Sequence, residues 1–206
     1  MEYDITELVK MTETAPYTVT GTIGDIELRR YPELILASVG DPGDDSGFEH
    51  LFRYITGNNR AKGKVPMTSP VLTQEKIPMT SPVITSEKIA MTAPVITEEK
   101  IAMTAPVVSM TGSMSFVMPA GRTESDLPEP LDSRVRLATV PPREVAVLRF
   151  RGRAGSHAVK DMASRLLKAV EKAGIRTKGE VFLMRYNPPW TPGFLRRNEV
   201  AIEIAR

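Results

Sequence analysis

The chain of 206 residues contains no cysteine. Disulfides, thiolate metal sites and a cysteine nucleophile are therefore excluded. A reducing compartment fits that composition, and the expected location is cytoplasmic. Aromatic residues make up 6%, with a single tryptophan, and only two histidines occur, His50 and His157. No window holds the roughly 18 to 20 apolar residues of a membrane span. The opening stretch, MEYDITELVK, is acidic where a secretory leader needs a basic start and an apolar run, so export is not expected. HExxH, GxSxG and glycine-rich phosphate loops are all missing. Ser156 and His157 are neighbours in sequence, which suits a helix start and not a nucleophile with its base. No enzymatic activity is expected.

Charge of one sign is also scarce. The formal net charge is +2, but residues 122–206 carry 17 Lys/Arg against 10 Asp/Glu, and residues 1–121 carry 10 against 15. A nucleic-acid surface would call for a basic patch or stripe. Within 122–206 the basic residues are scattered, with no cluster beyond 149–153 and 196–197. This pattern reads as a solvated face or an anion-binding rim, with no nucleic-acid partner.

Repetition, by contrast, is abundant. Residues 64–111 are four near-copies of one twelve-residue phrase: KVPMTSPVLTQE, KIPMTSPVITSE, KIAMTAPVITEE and KIAMTAPVVSMT. Met67, Met79, Met91 and Met103 align, as do Pro70, Pro82, Pro94 and Pro106. Twelve is even, so an extended chain puts equivalent residues on the same side. A proline in every unit excludes a helix. Extended segments or hairpins with one partly apolar face remain. Such an arm serves as a flap over a ligand, as a pairing surface for self-association, or as an expansion without a role.

Around the repeats the text reads as alternating strands and two helices. Strands are predicted at 17–22, 25–31, 34–39, 113–118, 134–139, 144–151, 180–186 and 199–205. A short helix is predicted at 47–56, with Phe48, Leu51, Phe52 and Ile55 along one face and Gly57 as its stop. Ser156 is expected to cap a longer helix with the stripe Val159, Met162, Ala163, Leu166, Leu167 and Val170, ended by Gly174. The two halves rhyme as strand, helix, then further strands. A single α+β domain over 1–206 follows, with one antiparallel sheet or open barrel and both helices outside it.

Four phrases stand in order: IELRRYPE, KIAMTAPV, MSFVMPAG and YNPPWTPGFLRRNEVAIEI. Together, across about residues 17–205, they resemble the SOUL/haem-binding-protein family. The resemblance implies a distorted antiparallel β-barrel of two pseudo-repeated units with two flanking helices, related to the GyrI-like drug-sensing domains. It also implies non-covalent binding of haem or another tetrapyrrole, for buffering or transport. That family has one MTAPV phrase where this chain has four, so about three copies read as an inserted β-hairpin or loop extension. The last copy leads directly into MSFVMP and suits the family position, although the first shares the role if it pairs at the other end.

A porphyrin is a flat apolar disc with two carboxylates, so its site needs an apolar wall and cations at the edge. What the resemblance implies is a pocket along the first helix and the C-terminal loop. The matching residues are Phe48, His50, Leu51, Phe52 and Arg53 on the helix, and Trp190, Arg196 and Arg197 on the loop. Where some relatives carry a histidine before the tyrosine of the first phrase, this chain has Arg30, which leaves His50 as the candidate axial ligand. Contact without a strong iron bond is the favoured mode. The alternative is a GyrI-like site for amphipathic cations, with Glu199 as the inner acid, or a protein-interaction domain. Glu199 reads equally as an outward partner of Arg196 or Arg197.

Overall fold

The computed structural model describes residues 13–40, 44–61, 99–110, 112–187 and 191–205. The expected hairpin or loop extension, any self-association through it, and Trp190 fall outside the described residues. Twelve strands are β1 (Glu13–Thr14), β2 (Thr18–Ile23), β3 (Ile26–Tyr31), β4 (Leu34–Val39), β5 (Asn59–Arg60), β6 (Thr104–Met110), β7 (Ser113–Val117), β8 (Glu129–Pro130), β9 (Val135–Val140), β10 (Arg143–Arg151), β11 (Arg176–Arg185) and β12 (Arg197–Ala205). The described α-helices are α1 (Asp44–Thr56) and α2 (Ser156–Lys172). None of the described helices is long and apolar enough to cross a membrane.

One large sheet runs in the order β2-β3-β10-β12-β11-β6-β7-β4-β9, with β1 joined to β6 in parallel. All neighbours along the path are antiparallel. The order carries an internal symmetry. Strands β3, β4, β6 and β7 with α1 form one unit, and β9, β10, β11 and β12 with α2 form the other. Counting outward from the β11–β6 junction, each strand meets its counterpart, and each unit's first strand pairs within the other unit, β3 on β10 and β9 on β4. That exchange locks the halves into one core. The path has two free ends, β2 and β9, so the sheet is open and not closed into the expected barrel.

Both helices lie on one face of the sheet. In α1, Leu51, Tyr54 and Ile55 are buried against β4, β7 and β9, with Phe48 and Phe52 packed beside them. Gly57 stands at φ 129, a region costly to side-chain-bearing residues, and the helix ends there. In α2 the buried residues are Leu166 and Val170, with Val159, Met162 and Ala169 against the same core. Leu167, expected in that stripe, is 39% exposed, because the buried line follows single i, i+3/i+4 steps. Ser156 is the first helical residue and not the cap. Gly155 takes that place with no side-chain hydrogen bond. Gly174, at φ 69, terminates the helix as expected, its N–H donating to Glu171 O at 2.9 Å.

One side chain joins the end of α1 to Glu99. Asn59, fully buried, donates through Nδ2 to Tyr54 O at 2.6 Å and Glu99 O at 2.8 Å. Its Oδ1 accepts from Glu99 N–H at 3.0 Å. The fourth repeat copy then enters the main sheet as β6, between β11 and β7.

Candidate functional site

The α1 residues divide by depth. Leu51 is fully buried. Phe48 stacks on Phe52 with centroids 5.9 Å apart and meets Phe116 of β7 edge-on at 5.4 Å. All three apolar residues expected on this helix therefore pack into or against the core. Arg53 is exposed in the last turn, with no ion-pair partner among the described residues. His50 is largely covered, its Nδ1 3.1 Å from Asp132 Oδ2 yet without an aligned hydrogen bond. Hydrogen bonds from Arg134, with the nearby His50 as the smallest contribution, depress the Asp132 carboxyl to about 2. His157 is 92% exposed and 2.9 Å from Asp161.

The C-terminal loop looks different. Phe194 and Leu195, in the short 3-10 turn Gly193–Leu195, are 76% and 59% exposed, more than any other large apolar residue described. Arginines surround their base. Arg153 lies across Gly193, close enough that an added Cβ there would sit 2.9 Å from Arg153 Cγ. Arg196 Nε donates to Thr191 O at 2.8 Å, and Arg196 O accepts from Gly152 N–H at 3.1 Å. Arg197 turns onto the sheet face opposite the helices.

On that inner face a charged cluster is buried. Alternation along IELRRY puts Arg29 inward with Tyr31, beside apolar Val145 and Val147 of β10. Arg29 and Glu199 are 1% and 0% exposed. Arg29 Nη1 donates to Glu199 Oε2 at 2.7 Å and Nη2 to Oε1 at 3.1 Å. Tyr186 O–H donates to Oε2 at 2.7 Å, and Arg197 donates to Oε1 through Nε at 3.1 Å and Nη2 at 2.5 Å. Arg29 Nε reaches Glu27 at 2.8 Å, and its guanidinium lies 4.2 Å over the Tyr17 ring. Burial opposes both charges. For Arg29 that burial is the largest single effect, but the hydrogen bonds and charges of Glu199 and Tyr31 together outweigh it and hold the guanidinium above its ordinary range. Hydrogen bonds from Arg29, Tyr186 and Arg197 keep Glu199 below the usual carboxylate range against the same desolvation. Burial, then the Glu199 charge, pushes the Tyr186 phenol up. A carboxylate offers about four lone-pair sites, so Glu199 is saturated. It has no room for a further cation and no basicity to spare for proton transfer.

A surface groove of about 390 Å³ lies elsewhere, lined by Thr20, Leu28, Glu144, Ile175, Arg176 and Ile204 among others. It sits at the Arg176/Ala205 end of β11 and β12, opposite the end that carries the loop. Among the described residues no group of three His, Asp or Glu could hold a metal ion.

The sequence pattern of the SOUL heme-binding protein family matches residues 12–88 and again 85–203. The chain belongs to the SOUL family. The junction of the two matched stretches falls inside the repeats. No curated protein matches the sequence. Solved structures similar to this SOUL protein include a hydrolase from Listeria innocua, at 12% identity and TM-score 0.50, covering 98% of this chain and 97% of that one. The EcmrR C-terminal domain follows at 9% identity and TM-score 0.48, with 92% and 98% covered. SAV2435 bound to tetraphenylphosphonium is 11% identical with TM-score 0.42, covering 92% and 94%. Identities this low speak of fold alone. In this SOUL chain, sequence reasoning passed over Arg29, Tyr31, Tyr186, Phe194 and Leu195. Strand parity in IELRRY was the available signal for Arg29. For Phe194 the signal was an apolar pair flanked by a turn glycine and two arginines.

Proposed function

We propose that this protein binds haem or iron-free porphyrin without a covalent bond, as a cytosolic buffer or carrier. Membership of the SOUL heme-binding family over residues 12–203 carries the reading. The loop supports it physically. Phe194 and Leu195 offer exposed apolar surface for a flat ring, and Arg153, Arg196 and Arg197 supply cations at its border for carboxylates. The family resemblance assigns Phe52, Arg53 and Trp190 to the same ligand. His50 is the candidate axial ligand, but its proximity to Asp132 suits a pocket where edge contacts dominate over iron coordination. The test is titration of the purified protein with hemin and with protoporphyrin IX, followed by the Soret band and by Trp190 fluorescence. Stoichiometric saturation by both is the expected result, and a flat titration with both refutes the reading. The cation-binding alternative is weakened by Glu199, whose oxygens are already filled by Arg29, Arg197 and Tyr186.

A further inference from the structure

The exposed loop adjoins a row of three arginines, Arg149, Arg151 and Arg197, of which Arg197 alone is paired, with Glu199. Arg151 of β10 stands directly opposite Arg197 of β12, and Arg149 stands opposite Glu199, in an unbroken antiparallel register. Like charges facing each other across a ladder are destabilising. The same register puts Val145 and Val147 on the inner face, so Arg149 and Arg151 share the side of the sheet that holds Arg29 and Glu199. Glu199 is saturated, and Glu27 is bonded to Arg29. Arg149 and Arg151 are exposed, and neither has an ion-pair or hydrogen-bond partner among the described residues. Gly152 N–H, donating to Arg196 O, ties this end of β10 to the base of the loop with Phe194 and Leu195.

We infer that Arg149 and Arg151, beside Arg197, form a clamp for the carboxylates of the ligand. The inference rests on the porphyrin reading and names the part of the site that recognises the propionate edge. A planar guanidinium binds a carboxylate through two parallel hydrogen bonds, and two propionates on one edge need more than one such partner. With the ring against the loop, the carboxylates fall toward the arginine ladder, where an anion meets the unpaired guanidinium groups of Arg149 and Arg151.

The experiment compares protoporphyrin IX with its dimethyl ester, both iron-free, on wild type and on Arg149→Gln/Arg151→Gln. A Lys168→Gln/Lys172→Gln variant on the exposed side of α2 serves as the charge-matched control. Wild type is expected to bind the free acid about tenfold more tightly than the diester, since hydrogen bonds to charged groups are the strong ones. The double arginine variant should lose most of that preference, with its unfolding midpoint unchanged or raised, while the lysine control keeps the preference. Equal binding of acid and ester by wild type, or an unaltered preference in the arginine variant, overturns the clamp and leaves the porphyrin reading standing. Failure of wild type to bind either form sinks both.

Discussion

Replacing Glu199 by glutamine removes the negative charge at the buried centre of the inner face and leaves Arg29, 1% exposed, with Glu27 as its remaining charged partner. Breaking a buried ion pair from one side costs about 3–5 kcal/mol. Arg29 keeps Glu27, whose side chain is 43% exposed, and so retains part of its compensation. The lower end, about 3 kcal/mol, is therefore expected, or a fall in Tm of about 6–12 °C for a chain of this size. The apolar double variant Arg29→Met/Glu199→Leu removes both buried charges together. Arg197 loses a partner there, but it is 28% exposed and reaches water. The double variant should cost about 1 kcal/mol or less, below Glu199→Gln alone. Urea unfolding of wild type, Arg29→Met, Glu199→Leu and the double variant, at constant slope, measures the coupling. Additivity of the two single changes to within about 0.5 kcal/mol would refute the argument. The pH dependence has a defined sign. Glu199 titrates lower in the folded protein than in the unfolded chain, so its contribution is complete above the ordinary glutamate value and disappears as pH falls through the folded value. The gap between wild type and Glu199→Gln should narrow below about pH 4.

Asn59→Ala removes three hydrogen bonds that hold Glu99 and the end of α1, and about 2–3 kcal/mol of stability should go with them. A loss below about 1 kcal/mol in thermal or urea unfolding would deny the clip its role. Tyr31, Tyr54 and Tyr186 are each raised chiefly by burial, so the unfolded chain ionises first. Stability should therefore be full below about pH 10 and decline above it, with these phenols silent in the 295 nm absorbance until unfolding. Early titration of all the tyrosines in the native protein would contradict this. Leu51→Ala, in the core under α1, should cost about 2–5 kcal/mol in urea. A small effect would mean that the site is open and not packed.

Much of the architecture is legible along the chain, since strand alternation and helix spacing are local. The stripe in α2 and the Gly174 stop follow from nearby residues, and so do the phrases shared with the SOUL family. The sheet order is not local. Arg29 and Glu199 lie 170 positions apart, and nothing near either one names the other. Arg29 and Arg30 are adjacent and chemically identical, yet Arg29 is buried against Glu199 while Arg30, 54% exposed, pairs with Glu144. Parity separates them, but only the pairing of β3 with β10, and of β10 with β12, decides which parity faces inward.

The candidate site divides in the same way. Arg196 and Arg197 are found by motif, and the arginines of 149–153 by composition. That Arg151 faces Arg197 depends on register between β10 and β12, a long-range pairing. By itself the sequence determined the family, the two helices and the run of repeats, because each is written in contiguous residues. Tertiary structure alone decided that Glu199 is filled from three sides and that two arginines stand opposed. Burial and pairing are properties of strands brought together from distant parts of the chain.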